Sequence, residues 1–196
     1  MNALTIALSC AALASAGWLL AQEKEGKPDA RPQDAAAAPP MPKPGPEHQP
    51  LRLLVGTWEA DIEHTMKPGD PPAKSKGVET TKLVCNGLWL ESDVRAELGP
   101  QTFEGHGHFG YDTVKKAYRS TWIDNMSTHL ATSEGTFDAG TKTFTMMGEG
   151  PDMTGRMTKF RMTDQIKGDT RLLTSYTTGP DGKEFVHLTI RYTKKK

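Results

Sequence analysis

The chain has 196 residues, which is enough for one domain with a hydrophobic core of its own. Its 24 basic and 24 acidic side chains cancel, and the basic run from Lys194 to Lys196 lies at the end of the chain. Because binding to a phosphate backbone requires a clustered positive surface, this composition argues against a nucleic-acid partner.

Residues 1–21 are largely apolar, carry no charged side chain and end in small residues. This pattern is typical of a secretory signal peptide, and it predicts cleavage after Ala21 or Ala16 and a periplasmic or secreted protein. The apolar stretch from Ala3 to Leu20 is also long enough for an uncleaved membrane anchor. An uncleaved signal is the one membrane contact that the sequence predicts.

Residues 22–50 contain eight of the 14 prolines of the chain and almost no apolar side chain larger than alanine. Such a segment cannot bury enough apolar surface to offset the entropy lost on ordering. We therefore expect a disordered Pro/Ala-rich linker over 22–50 and a folded domain over 51–196.

The domain begins with Leu51 and Leu54, whose spacing predicts a short helical turn. From Val55 onward, apolar and polar residues alternate, as in WEADIEH and LWLESDVRAEL, and turn-forming residues interrupt the pattern at nine places. These nine turn segments separate ten predicted strands. The predicted fold is an all-β, up-and-down antiparallel barrel of about ten strands, since closure leaves no unpaired edge.

The motif GTWE, residues 56–59, resembles the G-x-W signature of lipocalin-like barrels, and it lies in the first predicted strand. The resemblance implies that Trp58 closes one end of the barrel. It also implies that an arginine from the last strand, here Arg191, lies over the indole ring. We interpret Trp58 and Arg191 as the barrel plug.

A wider resemblance covers roughly residues 47–193. Its motifs, in chain order, are EHQPLRLLVGTWE, GHGHFGYD, STWIDNMST, SEGTFD and GKE. They resemble a family of exported bacterial proteins, found in planctomycetes and other environmental bacteria, that is defined as a domain of unknown function with a lipocalin or calycin-like barrel. The resemblance implies the barrel fold, and it implies no particular activity.

The stretch TFEGHGHFGYD places Glu104, His106 and His108 on one face of a strand. Alternate imidazoles and a carboxylate can bind zinc, which makes these three residues the candidate metal ligands. The other face carries aromatic residues and glycines. If that face lines the lumen, the histidines face water, and this second interpretation, without a metal, is the one we favour.

The predicted strand that contains Tyr118, Ser120, Trp122 and Asp124 combines aromatic rings with hydroxyl and carboxylate groups on one face. Such a mixture is typical of a small-molecule pocket, although a tryptophan anchored in the core beside a tight turn would give the same pattern. The predicted ligand-binding residues are Trp89, Tyr118, Ser120, Trp122 and Asp124.

No catalytic triad, phosphate loop or His-Glu-x-x-His motif is present. His187, in the last predicted strand, is a haem-ligand candidate only by analogy with haem-binding ten-strand barrels. We therefore expect a protein without cofactor or catalytic cycle that binds a small apolar molecule in the barrel lumen. The alternatives are a metal-dependent or haem-dependent enzyme on the same barrel, and an interaction module whose lumen is filled by side chains.

Overall fold

The computed structural model describes residues 40–151 and 155–196. The predicted signal peptide and residues 22–39 of the predicted linker lie outside this range. The folded unit comprises Met41–Lys196. It begins with a 3-10 helix, Pro46–Leu54, that starts inside the predicted linker and buries His48 and Leu51.

Ten strands follow the helix, as the alternating pattern predicts. A short 3-10 turn, Cys85–Gly87, separates the second strand from the third. The strands are β1 (Gly56–His64), β2 (Ala73–Val84), β3 (Trp89–Leu98), β4 (Gln101–Asp112), β5 (Ala117–Asp124), β6 (Ser127–Asp138), β7 (Thr143–Pro151), β8 (Met157–Lys167), β9 (Thr170–Thr178) and β10 (Glu184–Lys194).

Each strand pairs antiparallel with its neighbours in sequence, and β1 pairs with β10 to close the barrel. The predicted all-β, up-and-down barrel of about ten strands with a short N-terminal helical turn is therefore confirmed. Closure gives every strand a partner on both sides. Within the described ranges, no helix is both long enough and apolar enough to span a membrane.

The N-terminal helix closes the barrel end at which β1 begins. Leu51 and Leu54 pack against inward-facing residues of this end, among them Leu90, Phe144 and Ile166. We call this end of the lumen the capped half. Leu90, Phe144 and Ile166 are almost completely buried, whereas Leu83, Phe109, Phe137 and Met162 beside them are partly buried.

The other end of the lumen lies where β1, β5 and β9 end and where β10 begins. Several of its inward-facing side chains are only partly buried, among them Ile62, Trp122, Phe160 and Thr177. We call this end the distal half. The two halves differ in that the helix packs against the first.

Candidate functional site

Trp122 lies on the inner wall of the distal half, directly opposite Gly107 of β4. A Cβ atom at Gly105 or Gly107 would overlap its indole ring, so the two glycines provide the space that the ring occupies. The Phe103 ring stacks with the Trp122 ring, with centroids 6.4 Å apart. The indole Nε1 donates a hydrogen bond to Asp124 Oδ2 at 3.0 Å.

Ser120 lies deeper in the lumen, two residues from Trp122 on the same face of β5. Its Oγ is 2.6 Å from Oγ of Ser133, its partner on β6. The structure therefore brings together three of the predicted ligand-binding residues, Ser120, Trp122 and Asp124, on one wall of the distal half.

Tyr118 shares this face of β5 but lies in the capped half. It is buried, and its hydroxyl group donates a hydrogen bond to the Glu47 carbonyl oxygen of the helix at 2.7 Å. Burial raises the pKa of Tyr118 to about 12, so the phenol stays protonated and can keep donating. Its hydroxyl group thus holds the helix in place, and its role as a ligand-binding residue stays a prediction.

Trp89 faces the outside of the barrel, so it does not belong to the ligand site in the lumen for which it was predicted. Its ring covers Gly110 on the outer wall, where a Cβ atom would overlap the ring. The neighbouring residue Leu90 is buried inside. Successive side chains of a strand point to opposite faces, so Trp89 must point outward.

Trp58 is fully buried in the capped half, where its indole Nε1 donates a hydrogen bond to the Leu54 carbonyl oxygen at 2.9 Å. The prediction that Arg191 lies over it is wrong. Arg191 is 60% exposed and pairs with Glu63 on the outer wall at 3.2 Å. The guanidinium that lies near the Trp58 ring belongs to Arg171 of β9, 5.1 Å from the ring centroid.

Arg171 forms a buried charge cluster with two carboxylates, which we call the arginine cluster. Its Nη1 atom is 3.0 Å from Glu79 Oε2, and its Nη2 atom is 2.7 Å from Asp164 Oδ2. Ser92 donates a further hydrogen bond to Glu79 at 2.6 Å. Burial raises the pKa of Asp164, and the Arg171 charge opposes that shift.

The arginine cluster was not predicted from the sequence, although a signal for it exists. Arg171, Leu173 and Ser175 occupy alternate positions in TRLLTSYTT, so an inward-facing Leu173 requires an inward-facing arginine. A charge at such a position needs a buried partner of opposite sign. Because two carboxylates already neutralise Arg171, its guanidinium is not free to bind an anionic ligand.

His187 lies in a bulge of β10, where the pairing with β9 shifts register between Val186 and Leu188. Its ring meets that of His64 edge to face, with centroids 6.1 Å apart. Burial and the neighbouring His64 lower the pKa of His187 to about 4, so the imidazole is neutral at pH 7. Within the described ranges, its Nδ1 has no hydrogen-bond partner. Haem ligation by His187 stays the alternative stated above.

The two histidines of the GHGH motif lie on the outer wall. His106 Nδ1 is 2.6 Å from Asp93 Oδ1, and His108 Nδ1 is 3.4 Å from Thr121 Oγ1. Glu104 pairs with Arg95 at 2.8 Å instead of turning toward the histidines. Among the residues that the structure describes, no group of three or more His, Cys, Asp or Glu side chains is placed to hold a metal ion.

A protein-family model described as "Protein of unknown function (DUF1579)" matches residues 43–194 of the chain. The chain belongs to this family. Its barrel is similar to the crystal structure of Rv2717c from M. tuberculosis, with a TM-score of 0.60 and 13% sequence identity. The match covers 78% of this chain and 99% of that one, and at this identity it supports the fold alone. Among curated proteins, none is significantly similar to this chain.

Proposed function

We propose that this protein binds a small, uncharged and largely apolar molecule in the distal half of the barrel lumen. One observation carries the proposal: Trp122 faces the lumen and is only partly buried, although it packs against Phe103 and two glycines. A partly buried aromatic residue inside a barrel offers contact area to a ligand.

The contrast between the two ends of the lumen supports this position. In the capped half, Leu90 and Phe144 are almost completely buried, with Phe109 and Met162 partly buried beside them. Inward-facing residues of the distal half, such as Ile62 and Phe160, are only partly buried. Ten strands enclose a wider interior than the roughly eight at which side chains just fill a barrel. A ligand has room only where the interior is not already filled.

The charges of the lumen indicate a ligand without a negative charge. Arg171 is neutralised by Glu79 and Asp164, and His187 is neutral at pH 7 because its pKa is lowered to about 4. An anionic head group would therefore lose its hydration on entering the lumen, and neither Arg171 nor His187 would offer it a free positive charge. The desolvation cost would be high. The hydroxyl groups of Ser120 and Ser133 can orient a neutral polar group of the ligand.

Replacing Trp122 with alanine is expected to weaken binding of a neutral apolar probe by about 2 kcal/mol, roughly thirtyfold, because the aromatic contact area is lost. The probe is N-phenyl-1-naphthylamine, and its emission gives the dissociation constant. The matched control is Trp89→Ala on the outer wall, which should leave that constant unchanged.

Equal loss of affinity in both variants would place the probe outside the lumen. If the unchanged protein fails to bind the probe and a panel of other neutral apolar compounds, the filled-barrel interaction module becomes the better account. Thermal melting of both variants checks that each is folded before its affinity is compared.

We also propose that the protein acts outside the cytoplasm, because residues 1–21 have the pattern of a signal peptide. Fractionation of the host should then find the mature chain, about 2 kDa lighter than the full chain, in the periplasm or the medium. Full-length chain in the cytosolic fraction would contradict export.

A further inference from the structure

Asp124 is the last residue of β5, and its side chain lies on the same face of the strand as that of Trp122. In the pairing with β4, Asp124 lies opposite Gly105, and Ile123 between the two β5 residues is exposed on the outer wall. Because side chains alternate along a strand, Asp124 faces inward as Trp122 does. Its partly accessible carboxylate therefore lies at the rim of the distal half.

The carboxylate of Asp124 holds two neighbouring groups in place. Its Oδ2 accepts a hydrogen bond from Trp122 Nε1 at 3.0 Å, and its Oδ1 accepts one from the backbone N–H of Met126 at 3.0 Å. An ionised carboxylate has about four lone-pair sites and no proton to donate. These two bonds therefore leave the carboxylate able to accept a hydrogen bond from a further donor.

The negative charge of Asp124 has no cation beside it. Within residues 40–151 and 155–196, no basic side chain forms an ion pair with Asp124. By contrast, Glu79 and Asp164, which also face the interior, are both neutralised by Arg171. Hydrogen bonds to an ionised acceptor are stronger than those between neutral groups, so a donor that reaches Asp124 is bound well.

The turn that follows β5 does not explain why this carboxylate faces the lumen. Asp112, at the end of β4, stabilises the next turn in the same way, because its Oδ1 accepts hydrogen bonds from the backbone N–H groups of Val114 and Lys115. Asp112 follows the inward-facing Tyr111 and therefore points outward. A turn of this kind can thus be stabilised from the outer face.

We propose that Asp124 accepts a hydrogen bond from the ligand, and that the ligand is an uncharged apolar molecule that carries an O–H or N–H group. The inference rests on the proposed ligand binding and names the polar group of the ligand. Because Asp124 binds the edge of the Trp122 indole, a molecule that packs on that ring lies within reach of the carboxylate.

Two naphthalenes that differ in one donor provide the test. 2-Naphthol donates an O–H group, whereas 2-methoxynaphthalene has a similar shape and no donor. Displacement of N-phenyl-1-naphthylamine from the full chain gives the dissociation constant of each compound. The quantity compared is the donor preference, which we define as the dissociation constant of 2-methoxynaphthalene divided by that of 2-naphthol. Differences in the hydration of the two compounds cancel when variants are compared.

Asp124→Asn is expected to lower the donor preference by about tenfold, because the charge and one acceptor oxygen are lost. Asp124→Ser, which keeps one oxygen for the turn, is a second variant and should lower it as well. Trp122→Phe removes the indole donor but keeps Asp124 and an aromatic ring, so it should weaken both compounds and leave the donor preference unchanged. Asp112→Asn is the matched turn control and should change neither affinity.

Three outcomes would overturn the role of Asp124. Equal weakening of both compounds by Asp124→Asn would mean that the carboxylate only positions Trp122. An equal fall of the donor preference in Trp122→Phe would mean that the donor is recognised through the indole. Unchanged affinities in Asp124→Asn would place the ligand away from this rim. Failure of the unchanged protein to bind the probe and both naphthalenes would instead contradict the proposed function, and is seen before any variant is compared.

Discussion

Replacing Arg171 with methionine is expected to lower the free energy of unfolding at pH 7 by about 3–5 kcal/mol. Methionine retains much of the apolar stem but removes the charge. Glu79 and Asp164, both paired with Arg171 in the barrel interior, would then lack their cation. Two buried carboxylates without a cation are strongly unfavourable. The decrease in the free energy of unfolding therefore exceeds the decrease that altered packing alone would cause. Urea denaturation gives the free energy directly.

The penalty of Arg171→Met should shrink as the pH falls from 7 toward 5. Burial already raises the pKa of Asp164 in the folded state, and Arg171 opposes that shift. Without Arg171 the folded-state pKa rises further above the value of about 4 in the unfolded chain. The folded state then binds more protons than the unfolded state, so stability increases as the pH falls through this window. A penalty that does not change with pH would contradict uncompensated carboxylates as its cause.

Arg191→Met is the matched control, because Arg191 makes an exposed ion pair with Glu63 on the outer wall. Exposed pairs contribute little, and the change should stay within about 0.5 kcal/mol. A loss from Arg191→Met as large as that from Arg171→Met would contradict the assignment of Arg171 as the buried cation.

The strand pattern predicts both the architecture and the facing of many residues. In β1 the alternation of Trp58 and Ala60 with acidic residues predicts which side chains point inward, and burial of Trp58 and Ala60 agrees. The same rule applies to Trp89, whose pattern groups it with Glu91 and Asp93. Assigning Trp89 to the ligand site followed its aromatic character instead of its position, and the position decides.

The two-residue alternation of a strand does not tell how far along the barrel axis a side chain lies. Tyr118 and Trp122 share one face of β5, yet the first lies under the helix and the second at the distal end. The period tells only which face a side chain occupies. How far it lies from either end depends on strand register and on the docking of the helix, which are properties of the whole fold.

The position of the arginine cluster depends on strand register. Arg171 lies opposite Tyr192, whereas Arg191 lies opposite Leu172 on β9 and Asp61 on β1. Alternation with Leu173 predicts that Arg171 faces inward, but only the strand pairing determines that it shares the interior with Trp58.

Replacing Trp58 with alanine is expected to destabilise the protein by about 3–5 kcal/mol, because a fully buried indole leaves a cavity that its neighbours cannot fill. Three interactions end together: the packing against Ala60 and Tyr192, the position near the Arg171 guanidinium, and the hydrogen bond to the Leu54 carbonyl oxygen. Urea denaturation measures the loss, and Trp89→Ala on the outer wall is the control with the same side chain removed.

Trp58→Phe separates the ring from its hydrogen bond. Phenylalanine keeps an aromatic ring in the capped half but cannot donate to Leu54, and the loss should be about 1 to 2 kcal/mol. The Leu54 carbonyl oxygen keeps a second donor in the Thr81 hydroxyl group, so it is not left without a partner. The helix should therefore stay docked in Trp58→Phe and loosen in Trp58→Ala, which proteolysis near residue 46 under native conditions would detect. Equal destabilisation by the two substitutions would mean that the hydrogen bond, and not the volume of the ring, holds this end of the barrel closed.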